Sequence, residues 1–166
     1  MMTQAKTLVV GLGNPILGDD GVGWRVADEI ARQLLESPVE IDKLALGGLS
    51  LMERLVGYDR VIIVDAIQTQ GGRIGDVYWL DLRDLPDRAA GHTTAVHDTS
   101  LQTALQLGRQ MGASLPDDVQ IVGIEADRVY EFSEELTPAV ATAVPQAVQV
   151  VLNLLQINME GKDDFA

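Results

Sequence analysis

Leu8-Val9-Val10-Gly11-Leu12-Gly13-Asn14-Pro15-Ile16-Leu17-Gly18-Asp19-Asp20-Gly21-Val22-Gly23 decides how this chain folds. The apolar start suits a strand covered on both faces. The glycines that follow make a loop. Val22, Val26, Ile30 and Leu34 then recur at helical spacing, which predicts a helix over 22–35 with Gly21 and Gly23, poor helix formers, at its entrance. Two adjacent acids, Asp19 and Asp20, stand where the loop meets the helix. A helix N-terminus, with free N–H groups and a positive dipole end, accounts for acids there. So does a metal ion or a reacting group. Val61-Ile-Ile-Val-Asp65-Ala66 repeats the pattern of an apolar run closing on an aspartate, which favours a site.

The same alternation continues along the chain. Strands are predicted at 6–11, 39–46, 60–66, 75–82 and 119–124. Helices are predicted at 22–35, at 49–56 before Gly57, from a cap at Asp98 or Thr99 to about Met111, and at 136–157. Gly47-Gly48 reads as a turn that either lines a cleft or merely reverses the chain. Pro138 suits the first turn of the last helix, whereas Pro145 inside it should kink or interrupt it. The tail 158–166 is polar and is expected to fray. The fold class is therefore α/β, a three-layer sandwich. Its five-stranded sheet is mostly parallel, with helices on both faces, in a single domain with its ordered core over about 5–157. Sites in such sheets form beyond the C-terminal ends of the strands, so Asp20 and Asp65 can share one edge.

Composition narrows the chemistry. The 166 residues suit one domain, and 46% hydrophobic content marks a globular chain. Cys is absent, which excludes disulfides, thiolate ligands and a cysteine nucleophile. The net charge of −13 repels phosphate backbones, so no nucleic-acid partner is expected. No apolar run approaches the roughly 20 residues of a membrane span, and no secretory h-region follows Met1. No membrane association and a cytoplasmic location are the corresponding expectations.

A phosphate-binding role for the glycine loop fails on spacing. A dinucleotide fingerprint needs glycine where Ile16 stands, and a P-loop needs a Gly-Lys pair that no lysine between Lys6 and Lys43 provides. The two histidines, His92 and His97, both lie between the fourth strand and the next helix, and 14 extended residues reach up to about 45 Å across the sheet. Asp20, Asp65 and His97 would make an O,O,N ligand set, open enough for zinc or nickel and a further donor. The plainer reading of His97 is a histidine near a helix start bonded to a carboxylate. Ser100 lacks a Gly-x-Ser-x-Gly setting and reads as packing or capping. Paired carboxylates could also activate water without a metal.

In order and spacing, the motifs resemble the endopeptidases that mature nickel–iron hydrogenases. They are Gly11-Leu-Gly-Asn14, Asp19-Asp20-Gly21-Val-Gly23, Gly47-Gly48-Leu-Ser50, Gly57-Tyr-Asp-Arg60-Val-Ile-Ile-Val-Asp65-Ala66, His97-Asp-Thr-Ser-Leu101 and Phe132-Ser-Glu-Glu-Leu-Thr-Pro138. The resemblance spans residues 8 to about 155. It implies a hydrolase, often classed as an aspartic-type endopeptidase, that removes a C-terminal extension from the hydrogenase large-subunit precursor and so activates the enzyme. It further implies that Asp20, Asp65 and His97 form the catalytic and metal-binding set. Nickel would arrive in the precursor rather than as a resident cofactor, with a permanently bound zinc as the rival arrangement. The family often has an Asp-Glu pair where this chain has Asp19-Asp20; Asp20 takes the ligand position and Asp19 the capping one. A metal-sensing chaperone that binds the precursor without cutting it is the alternative. Peptidyl-tRNA hydrolases share Gly-Leu-Gly-Asn-Pro but follow it with a histidine motif missing here, and the acidic charge suits tRNA badly.

Overall fold

The computed structural model describes residues 4–84, 96–127 and 132–163, the side chains of 96–100 and 157–163 excepted. Five strands, β1 (Thr7–Leu12), β2 (Glu40–Leu44), β3 (Arg60–Ile67), β4 (Val77–Asp81) and β5 (Asp118–Glu125), form one sheet in the order β2-β1-β3-β5-β4. The first four of that order run parallel, and β4 lies antiparallel to β5 at the edge. The helices are α1 (Val22–Gln33), α2 (Gly48–Leu55), α3 (Val96–Gln110) and α4 (Pro138–Asp163). The expected α/β sandwich is therefore the observed fold.

Successive residues of each strand feed opposite cores, as the pleat requires. On one face Val9, Ile62, Val64, Val122 and Ile124 pack under α1 (Val22, Val26, Ile30) and α4 (Val140, Ala147, Val151). On the other, Leu8, Val10, Val61, Ile63 and Ile121 pack under α2 (Leu51, Leu55) and α3 (Leu101, Leu105). Because both faces are covered, the central strands read as unbroken apolar runs.

The connections set the site. The chain leaves β1 through α1 to reach β2 on one side, then returns through α2 to place β3 on the other side of β1. The strand order thus reverses between β1 and β3, where open α/β sheets carry a crevice beyond the strand ends. Their pairing stops at Gly11 with Val64, while β3 runs on beside β5 through Ile67 with Glu125. Asp65 is therefore within its strand and not at its end, as the first residue beyond the reach of β1.

Two expectations for α4 are corrected. Pro145 does not interrupt the helix, which is continuous from Pro138 to Asp163. Pro145 and Ala141 are exposed, so water can reach the carbonyl that the missing N–H would have served. The buried residues Val140, Ala143, Ala147 and Val148 meanwhile hold both halves on the sheet. The helix also continues through 158–163, where fraying was expected. Met159, Glu160 and Lys162 are good helix formers, and Gly161 alone costs only about 1 kcal/mol. The stretch Pro138–Gln156 has the length and apolar composition of a membrane span, contrary to the sequence expectation. Its apolar residues are those that roof the sheet.

At the opposite edge the Arg83 guanidinium grips Asp81 through both carboxylate oxygens (3.1 and 2.9 Å). That hydrogen bonding, helped by Gln120, holds the Asp81 carboxyl down at about 2 against an ordinary 3.8. A depressed carboxyl stabilises the fold above its ordinary range, and the contribution fades as pH falls from about 4 toward 2. Arg83 is exposed, so solvent screens the pair. Asp81→Asn is expected to lower stability by under about 1 kcal/mol at neutral pH. Urea midpoints of variant and wild type should converge near pH 2.

Candidate active site

The loop after β1 is built to hold two acids in opposite directions. Gly13 adopts φ +138°, a region closed to other residues, and a Cβ there would lie 1.9 Å from the Asp20 carbonyl oxygen. The chain then closes a 3-10 turn over Gly18–Gly21. On this turn Asp19 points inward and is fully buried, while Asp20 is half-buried. The Asn14 N–H donates to Asp20 Oδ2 at 2.7 Å. Asp20 Oδ1 accepts no hydrogen bond among the described residues.

Asp19 does not serve the helix expected of it. The N-cap of α1 is Gly21, and no side chain caps that helix. Asp19 instead accepts the Thr137 N–H (2.7 Å), the Thr137 hydroxyl (2.8 Å) and, at 3.4 Å, the Asp127 N–H. Thr137 immediately precedes α4, so the acid does sit at a helix N-terminus, but at that of a helix 118 residues away.

Asp65 is 1% exposed. It alternates with Val61 and Ile63 and so faces the α2–α3 side of the sheet. Its β5 neighbour is Gly123, which leaves the adjacent position without a side chain; Ile67 fills that space, 2.6 Å from where a Cβ would stand. The 3-10 turn packs against β3, and Gly23 in the first turn of α1 abuts the Val64 carbonyl. The turn that carries Asp20 and the strand that carries Asp65 thus adjoin near the β1–β3 reversal.

His97 is the second residue of α3. This helix leads through a short loop into the start of β5, so it runs against the strands and its first turn points toward the edge that carries the two acids. The His97 and Ser100 side chains, and all of His92, lie outside the described residues. The helix starts at Val96, ahead of the cap expected at Asp98 or Thr99. Among the described residues no three His, Cys, Asp or Glu side chains gather to hold a metal. Asp20, in the loop after β1, and Asp65, within β3, supply hard oxygen donors, a donor type that suits a divalent cation shared with other ligands.

Sequence reasoning missed Glu125. It stands one residue beyond the strand predicted at 119–124, yet it closes β5, 3% exposed, opposite Ile67. Its carboxylate accepts the Thr69 N–H (2.9 Å) and hydroxyl (3.0–3.1 Å), fastening the β3–β4 loop at the same edge. The available signal was Gly72, where a Cβ would come within 2.6 Å of that carboxylate. Gly47-Gly48 begins α2 directly, with Gly48 at φ +55°, and the Gly13 N–H donates to the Leu44 carbonyl beside it (3.1 Å). The paired glycines therefore border the site loop. Exposed Leu46, Leu49, Ile16 and Phe132 give this rim an apolar character. A groove of about 230 Å³ opens beside the turn, lined by Pro15, Gly21, Trp24, Arg25 and Leu136 among others.

The chain is similar in sequence and fold to known proteins. A family model described as hydrogenase maturation protease matches residues 24–154. Hydrogenase 2 maturation protease of Escherichia coli is 28% identical over 152 residues, covering 91% of each chain. Protein HydD of Wolinella succinogenes is 31% identical over 124 residues, 73% of this chain and 76% of that one. Among solved structures, the hydrogenase maturating endopeptidase HybD from E. coli superposes with a TM-score of 0.74 at 26% identity, covering 92% of this chain and 93% of its own. The hydrogenase 2 maturation peptidase from a Thaumarchaeota archaeon gives 0.64 at 30% identity, covering 90% and 97%.

Proposed function

This chain belongs to the hydrogenase maturation protease family, and from that premise we propose that it removes the C-terminal extension of a hydrogenase large-subunit precursor already loaded with nickel. The nickel is part of the substrate. Asp20, Asp65 and His97 meet it, and the cut follows.

What supports this reading is the placement of two acids near the β1–β3 reversal, Asp20 on the turn that packs against β3 and Asp65 within β3. One of them, Asp20, keeps an oxygen uncommitted among the described residues. In the hydrolysis, a water oxygen bonds to the scissile carbonyl carbon, and a carboxylate takes the proton that the water gives up. The C–N bond then breaks, and the proton passes to the leaving amine. The apolar rim of Ile16, Leu46, Leu49 and Phe132 suits a folded protein partner better than a small hydrophilic substrate.

The test is incubation of the chelator-treated protein with nickel-loaded and nickel-free precursor. A shortened large subunit is expected only from the loaded sample. A stable uncut complex would instead support a chaperone. Loss of cutting after chelation, restored by zinc alone, would support a resident metal.

A further inference from the structure

Two stretches separated by most of the chain meet through a buried acid that the proposed chemistry does not use. Asp19 is fully buried, yet it neither faces the crevice nor caps α1. Its two oxygens are taken by the N–H and the hydroxyl of Thr137 and, more weakly, by the Asp127 N–H. The same neighbourhood carries a second tie. The Gly18 N–H donates to the Ser133 carbonyl (2.7 Å), and the Ser133 N–H donates to the Ile16 carbonyl (2.9 Å). The entry half of the 3-10 turn is thus bolted to the segment before α4 through both backbone and side-chain bonds.

Asp20 follows Asp19 directly, and only one contact among the described residues fixes its side chain, the Asn14 N–H on Oδ2. The anchored acid and the presented one are consecutive residues. We propose that Asp19 is a positioning residue: with Thr137 it forms a latch that sets the aim of the Asp20 carboxylate. The reason for aspartate here is geometric. Its two oxygens accept both Thr137 donors at once, and they lie at the positive end of α4, where a carboxylate is favoured. An alanine would leave two partly buried donors unpaired and release the turn. The inference rests on the reading of Asp20 as a substrate-binding group, but its geometry can be tested apart from that reading.

The Asn14 amide reports on it in the intact chain. In Asp19→Ala, the Asn14 amide resonance is expected to move, and its protection from hydrogen exchange to fall at least tenfold. The core amides of Val9 and Ile62 should keep theirs. Thr137→Ser, which retains both donors, should look native, and Thr137→Val should fall between. Should Asp19→Ala fail to fold, Thr137→Val, which loses only a hydroxyl, is read by the same probe. An unmoved Asn14 amide in the folded variant overturns the latch. So does a loss shared equally by Val9 and Ile62, which would mean global weakening. Titration with Ni²⁺ alone separates the two proposals. Asp20→Asn that binds Ni²⁺ and processes precursor like wild type removes the assigned role of Asp20, while the Asn14 response still decides the latch.

Discussion

Gly23→Ala is expected to destabilise the protein by about 3 kcal/mol or more, a fall of about 10 °C in melting temperature for a chain of this size. Gly23 has an ordinary helical backbone, so the penalty is not conformational. A Cβ there would stand 2.3 Å from the Val64 carbonyl oxygen and 2.5 Å from that of Leu12. Both obstacles are backbone atoms of paired central strands, so neither can rotate away. Gly11 faces the same contact from the other side: a Cβ built on it would lie 2.3 Å from the Gly23 carbonyl oxygen. Helix α1 therefore lies directly on β1 and β3, and any added carbon must push the helix off the sheet. Because the same helix turn carries the Asp20 loop, processing should fall even at temperatures where the variant is folded. Thermal melting followed by circular dichroism, with processing measured well below the midpoint, checks both. A variant that melts like wild type would show that the helix can slide without cost.

His97→Ala is expected to reduce precursor processing by about 10²–10⁴-fold, the range for loss of a group acting on the reacting centre, while stability changes by no more than about 0.5 kcal/mol. The second residue of α3 stands ahead of Leu101, Ala104 and Leu105, which carry the packing of that helix. His92→Ala, by contrast, should process normally. Single-turnover cleavage of loaded precursor beside urea denaturation separates the two quantities. Normal cutting by His97→Ala removes the histidine from the proposed set.

The sandwich was legible because β1, β3 and β5 are buried on both faces, and such strands advertise themselves as apolar runs. The same logic expected Asp20 and Asp65 at one edge, as residues at the C-terminal ends of parallel strands; Asp65 lies within β3, two residues before its end. The partner of Asp19 was not legible. Periodicity describes what one segment does along its own axis, and Thr137 comes to Asp19 only through the placement of α4 on the sheet. Pro145 misled for a related reason: helical propensity is local, whereas the burial that overrides it belongs to the whole face. Glu125 was missed because β5 outran its apolar stretch, Ile67 giving its last residue a strand to pair with.

The bond from Thr137 to Asp19 also orders events during synthesis. A ribosome that has released the first hundred residues has already delivered both acids and three adjacent parallel strands, yet nothing to hold the first acid's neighbour. Under the proposed latch, the aim of Asp20 is set only once Thr137 has been made and α4 has docked.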